Sequence, residues 1–125
     1  MDFRLARHTN NLNSIIEFYT NVLGFEILGQ FENHENYDGV FLGKHGLDWH
    51  LEFTTSSDKA EHTNGEDDAL VFYPKTKTAY GVILSNIQKF KLVKLQSKNP
   101  YWNRNGIMIK DPDGFYVIVS YLRIK

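Results

Sequence analysis

The sequence predicts an α+β fold in which one strand–helix–strand–strand–strand unit is used twice. Three observations predict it. Residues 11–24 read as one capped amphipathic helix with an apolar strand candidate on each side. A single long polar stretch, Ser56 to Asp67, interrupts the alternation of apolar runs. Beyond it the order of strand, helix and strands recurs.

The helix is the best-specified element. Leu12, Ile15, Ile16, Tyr19, Val22 and Leu23 recur at three- and four-residue spacing, which makes one apolar stripe. Asn10, Asn11 and Asn13 stand where an N-cap belongs, and an Asn side-chain oxygen there accepts from a free backbone N–H. Gly24 stands at the stop, where the backbone turns left-handed.

Before the helix, Phe3 to Thr9 is a strand with Phe3 and Leu5 turned toward the helix and Arg4, Ala6 and His8 turned away. After it, Phe25 to Phe31 is a strand, and the polar Glu32 to Asp38 reads as a loop. Gly39 to Gly43 is a strand and Lys44-His45-Gly46 a turn. Trp49 to Thr55 alternates cleanly, with Leu51 and Phe53 on the helix side and His50, Glu52 and Thr54 opposite. Ser56 to Asp67 has no apolar periodicity and reads as a linker, so the domain divides into residues 1–55 and 68–125.

In the second half, Ala69 to Tyr73 is a strand stopped by Pro74, which cannot donate to a sheet ladder. Thr76 to Phe90 supports a helix through Ala79, Val82, Ile83, Ile87 and Phe90, although Gly81 inside it costs about 1 kcal/mol against alanine. Leu92 to Gln96 reads as a strand, Ser97 to Asn105 as a loop bearing Tyr101 and Trp102, and Gly106 to Lys110 as a strand. Asp111-Pro112-Asp113-Gly114 is a tight turn into the last strand, Phe115 to Arg123.

Composition narrows the classes of function. With 125 residues, 42% of them hydrophobic, the chain suits one globular domain. A formal net charge of −1 gives no basic excess, so nucleic acid is not an expected partner. The absence of cysteine excludes disulfides and thiolate metal sites and is compatible with a reducing compartment. No apolar run approaches the roughly 20 residues of a membrane helix, and the N-terminus lacks the apolar core of a secretory signal. A soluble cytoplasmic protein is the expectation.

Two motifs carry a resemblance. IIEFYTNVLGFEILG resembles the helix-and-strand signature of the vicinal oxygen chelate superfamily, the glyoxalase/bleomycin-resistance/dioxygenase proteins, and DPDGFYVIVSY resembles its C-terminal turn and final strand. The resemblance spans nearly the whole chain. It implies two βαβββ modules whose mixed sheet curls into a cup that binds a small molecule, a divalent metal in the enzymes, and a homodimer in many members.

The resemblance also implies metal-ligand positions, and the residues there are informative. By it, the first-module positions fall on Arg4 and Glu52, and the second-module positions on Ala69 and Ile118. Only Glu52 is a ligand; an arginine is always protonated, and alanine and isoleucine offer no lone pairs. The expected site therefore holds no metal. Arg4 and Glu52 should share one face, where a guanidinium can pair with the carboxylate and supply the positive charge a metal would bring. The pair is either a structural bridge or part of a site for an anionic or carbonyl-bearing ligand.

A rival arrangement uses His8, His50 and Glu52, two imidazoles and a carboxylate, which is the donor set of non-haem iron and zinc sites. Its spacing is unfavourable, because His8 lies four strand residues from Arg4, on the order of 13 Å. His34, His45 and His62 fall in polar turns. The remaining face of the cup is apolar or aromatic, with Tyr73 and Tyr116 from the second module and Trp102 poised in its loop, as in a small-molecule pocket.

The expected function is thus binding of a small molecule without the usual metal, with Arg4, His8, His50, Tyr73, Trp102 and Tyr116 contacting the ligand and Glu52 as the one candidate catalytic group. The first alternative is a metal-dependent lyase or ring-cleaving dioxygenase using a divalent ion such as Zn, Fe, Mn or Ni. The second is a non-catalytic dimeric interaction protein.

Overall fold

The structure is a computed structural model that describes residues 1–125. The chain falls into two compact units, Met1–His62 and Thr63–Lys125. The division lies inside the polar stretch that interrupts the sequence pattern.

The first unit runs β1 (Phe3–His8), α1 (Leu12–Asn21), β2 (Glu26–His34), β3 (Tyr37–Gly43) and β4 (Trp49–Thr55). Its four-stranded sheet has the order β1-β4-β3-β2, with β1 parallel to β4 and the other pairs antiparallel. The helix begins as the sequence requires: the Asn11 side chain accepts from the Ser14 N–H at 3.1 Å. Past its last residue the chain turns away at Gly24, whose φ of +74° is the left-handed backbone that glycine takes without steric cost. Ile15, Phe18, Tyr19, Val22 and Leu23 are buried, as are Val40, Leu42, Leu51 and Phe53 of the sheet. The Tyr19 and Phe53 rings sit 5.2 Å apart at the centre of this layer. Burying one such side chain contributes about 1.5–3 kcal/mol, so the nine together outweigh any polar contact in the unit.

Two expectations for this unit need correction. The polar segment Glu32 to Asp38 is not a loop: β2 and β3 extend through it and turn only at Glu35-Asn36, both at positive φ. Their ends make a solvated two-stranded ribbon, which needs no apolar alternation, and the Asp38 carboxylate accepts from the Asn33 N–H at 2.8 Å to hold the turn. Phe3 does not pack on the helix; it is 63% exposed, and the buried member of that parity is Arg7, whose guanidinium lies 5.2 Å from the Phe53 ring.

The second unit runs β5 (Ala69–Phe72), α2 (Lys77–Lys89), α3 (Pro100–Asn105), β6 (Gly106–Lys110) and β7 (Tyr116–Ser120). Its sheet has three strands in the order β5-β7-β6, with β5 parallel to β7. Thr76 caps α2 by accepting from the Ala79 N–H at 3.1 Å. The Asp111 side chain accepts from the Asp113 and Phe115 N–H groups at 2.9 and 3.1 Å, so the predicted turn is closed by its own first residue.

Here too the structure departs from the expectation. Leu92 to Gln96 forms a single bridge, Leu95 to Met108, in place of a strand. Ser97 to Asn105 is not a loop, because Pro100–Asn105 is helical. Asn99 accepts from the Tyr101 N–H at 3.0 Å and Pro100 opens the first turn, a start signal that the two aromatics obscured. The last strand ends at Ser120, whose hydroxyl donates to the Asn105 carbonyl at 2.7 Å.

Candidate functional site

The parallel register of β1 and β4 builds the site in the first unit. Arg4 stands opposite His50, Ala6 opposite Glu52, and His8 opposite Thr54. On the other side of β4, Phe41 stands opposite Glu52 and Gly39 opposite Thr54. Since alternate residues share a face, the sheet surface away from α1 carries Arg4, Ala6, His50, Glu52 and Phe41 together.

Arg4 organises that surface. Its Nε donates to His50 Nε2 at 2.9 Å. A guanidinium only donates, so this nitrogen of His50 is the lone-pair nitrogen of a neutral ring. Arg4 Nη1 lies 3.8 Å from Glu52 Oε2, with the Arg4 side chain 49% and the Glu52 side chain 17% exposed. The ion pair is a single contact, not the bidentate fork that the sequence allowed. The guanidinium carbon also lies 4.9 Å from the centre of the Phe41 ring. No hydrogen bond from the protein reaches the Glu52 carboxylate, which leaves a largely covered acceptor whose one close partner is a cation.

An aromatic floor adjoins the cluster, and sequence reasoning missed it. Phe41 and Phe31 lie 5.8 Å apart. Each ring rests where a glycine leaves room: a Cβ on Gly29 would come within 3.2 Å of Phe41, and one on Gly39 within 2.2 Å of Phe31. The signal was present in the register, since a glycine inside a strand often marks such a close approach.

His8 lies apart from the Arg4 cluster and is engaged in the unit's own fold. Its Nδ1 meets the Thr54 hydroxyl at 2.8 Å and its Nε2 meets the Asp58 carbonyl at 3.0 Å. A carbonyl only accepts, so Nε2 carries the proton and neither ring nitrogen is open to an ion. Asn10 holds Ala60 through both its amide groups, at 3.0 and 2.7 Å, and His62 Nε2 donates to the His8 carbonyl at 2.7 Å. The segment after β4 is thereby strapped to the end of β1.

The candidates of the second unit are scattered over it. Tyr73 lies just past β5, its ring 5.3 Å from the Arg123 guanidinium. Trp102 is half-buried in α3, edge-on to Tyr101 at 4.9 Å. Tyr116 has the Lys110 ammonium 5.5 Å from its ring centre. It lines an open depression of about 320 Å³ with Glu66, Gln96, Ser97, Lys98 and Met108.

A divalent ion does not fit these residues. Of the four positions the resemblance points to, Arg4, Ala69 and Ile118 offer no lone pair, and no three His, Asp or Glu side chains lie close enough together to share an ion.

Modules of strand, helix and antiparallel strands with a parallel closing pair define a protein of the vicinal oxygen chelate fold. Comparison with known proteins bears this out. Residues 3–54 match the YycE-like N-terminal domain and residues 67–121 the YycE-like C-terminal domain, so the chain belongs to the YycE-like family. It is 37% identical over 119 residues to YycE of Bacillus subtilis (strain 168), covering 92% of this chain and 84% of that protein. The crystal structure of a Bacillus subtilis YycE superposes with a TM-score of 0.85 at 35% identity, over 95% of this chain and 88% of that one. The trypanothione-dependent glyoxalase I of Leishmania major gives 0.71 at 20% identity, over 94% and 84% of the two chains. The antibiotic-binding protein TnmS3 from Streptomyces sp. CB03234 gives 0.67 at 17%, over 97% and 94%.

Proposed function

We propose that the protein binds a small molecule on the Arg4–His50–Glu52–Phe41 surface and does so with side chains in place of a metal ion. The observation that carries the reading is the Arg4 guanidinium held by His50 at 2.9 Å and facing Glu52 at 3.8 Å. A half-exposed ion pair of this kind contributes about 0–1 kcal/mol to stability, so folding alone gives little reason for it. Its unspent donors and acceptor, beside two phenylalanine rings, are what a ligand site provides. That the same fold serves an antibiotic-binding protein supports the binding half of the reading.

One observation favours a catalytic extension. The Glu52 carboxylate receives no hydrogen bond from the protein, as suits a group that takes a proton from a bound molecule. Glu52 is the residue whose loss should abolish any turnover. We take the protein to work in the cytoplasm as a homodimer; a cysteine-free chain is compatible with the first, and dimerisation in the superfamily supports the second.

Metal analysis of the purified protein tests the central claim. Zinc, iron, manganese and nickel are expected well below one equivalent. One equivalent of any of them, lost in Glu52→Ala, overturns the metal-free reading and favours a lyase or dioxygenase.

A further inference from the structure

The charges of the Arg4 surface balance. Arg4 contributes one positive charge, Glu52 one negative, and His50 is held neutral by the arginine N–H it accepts. A ligand carrying a carboxylate or phosphonate would gain Arg4 and meet Glu52 in the same step. A ligand carrying an ammonium would gain Glu52 and meet Arg4. Each charged ligand therefore brings one like-charge contact, which is how a site rejects a partner.

What the surface offers unspent is one donor set and one acceptor. Arg4 Nε is used by His50, Nη1 stands near Glu52, and Nη2 has no partner in the protein. Glu52 has an ion-pair partner and no donor. Ala6, opposite Glu52 on β1, is exposed and has no side-chain donor to offer the carboxylate. The rings of Phe31 and Phe41, tilted 45° to each other, provide an apolar surface beside these groups.

We infer that the Arg4–Glu52 pair recognises a neutral planar group that presents a hydrogen-bond acceptor next to a donor, an amide or lactam edge attached to an apolar ring. The carbonyl oxygen accepts from the Arg4 terminal nitrogens, the adjacent N–H donates to Glu52, and the ring packs against Phe41 and Phe31. This rests on the binding reading above and names the chemistry of its ligand.

Benzamide, benzoate and phenylphosphonate test it in one nuclear magnetic resonance titration of the full chain, because benzamide and benzoate differ by little more than charge. Benzamide is expected to shift the backbone amides of Arg4, Phe41, His50 and Glu52 and to bind at least about tenfold more tightly than either anion, the difference of one well-placed polar contact. In Glu52→Gln the negative charge is gone and Arg4 remains, so the order should invert, with benzoate preferred. In Arg4→Gln benzamide should weaken and benzoate should be rejected further. Benzoate binding the wild-type protein at these residues as tightly as benzamide, or a preference unchanged in Glu52→Gln, overturns the amide assignment and leaves the site itself standing. If none of the three probes shifts these four residues, both the assignment and the binding reading fail.

Discussion

Both units open on a strand and a helix and pair that strand parallel to their last one, and they differ in what these paired strands carry. In the first, β1 and β4 bring Arg4 beside His50 and Ala6 beside Glu52. In the second, β5 and β7 bring Ala69 beside Tyr116 and Val71 beside Ile118. The strand patterns explain the difference. In β4 buried residues alternate with half-buried ones, so one face is left for polar side chains. In β7 Val117, Ile118 and Val119 are all 0–1% exposed, so both faces are covered and the strand is a continuous apolar run. A charge in β7 would have to be desolvated without a partner, a cost that β4 does not impose. The charged and imidazole side chains therefore gather on the paired strands of the first unit, while Ile118 of the second is packed away.

The sharpest way to break this comparison is to substitute one residue in each pair of parallel strands. Ile118→Ala should lose about 2–5 kcal/mol of unfolding free energy in urea, the range for emptying a packed core site. Arg4→Met should lose less than about 1 kcal/mol, since it removes only a half-exposed ion pair. Equal losses would mean that Arg4 is a structural bridge and that the two units do not divide the work.

The glycines sharpen the contrast at a smaller scale. A Cβ on Gly106 would fall 2.6 Å from the Val119 carbonyl oxygen, which is backbone and cannot yield cheaply. Gly106→Ala should cost about 1–3 kcal/mol as a strained insertion. A Cβ on Gly39 would fall even closer, 2.2 Å from the Phe31 ring, but a half-buried ring can swing away. Gly39→Ala should thus cost less than Gly106→Ala while displacing Phe31 from the floor of the site. A Gly39→Ala crystal structure with Phe31 unmoved would refute the account of that floor.

Most of this architecture was legible in the sequence because its strongest signals are local. The stripe of α1, its Asn11 cap and Gly24 stop, and the alternation in β4 each follow from a few neighbouring residues. The errors fell where local pattern and tertiary role part. The ends of β2 and β3 pair in solvent and need no apolar face, so Glu32 to Asp38 looked like a loop. Leu92 to Gln96 has strand composition, yet only Leu95 finds a partner on the sheet edge. For the site, parity placed Arg4, His50 and Glu52 on one face, but side-chain direction was out of reach. Nothing in the sequence said that Arg4 would bond His50 in preference to forking onto Glu52. Nor did it say that His8 would be consumed by Thr54 and the strap at Asp58.

The helix caps give a comparison in which the units should behave alike. Asn11 and Thr76 each accept a backbone N–H at 3.1 Å at the start of α1 and α2. Alanine at either position should cost about 1 kcal/mol, measured by urea unfolding. A much larger loss at Asn11 would show that the first unit depends on its helix start more than the second does, as its deeper burial of Ile15 and Tyr19 would permit.

The smallest effect expected is a dependence on alkaline pH in the second unit. Tyr80 sits edge-on to Tyr121 at 5.9 Å. Burial raises its phenol above the usual range, and the Tyr121 phenolate would add to the rise. A raised value means that the folded state holds the proton more tightly than the unfolded chain does. The resulting stability is fully present below pH of about 10, where the unfolded phenol is still protonated, and is lost as pH climbs through the folded value. Unfolding midpoints should therefore fall with alkali in the wild-type protein and fall less in Tyr80→Phe, which has no proton to lose. Tyr121→Phe should recover a smaller part, because its charge is the lesser of the two causes. If the alkaline slope were the same in Tyr80→Phe as in the wild type, the sensitivity would lie elsewhere, and burial of this phenol would not be its source.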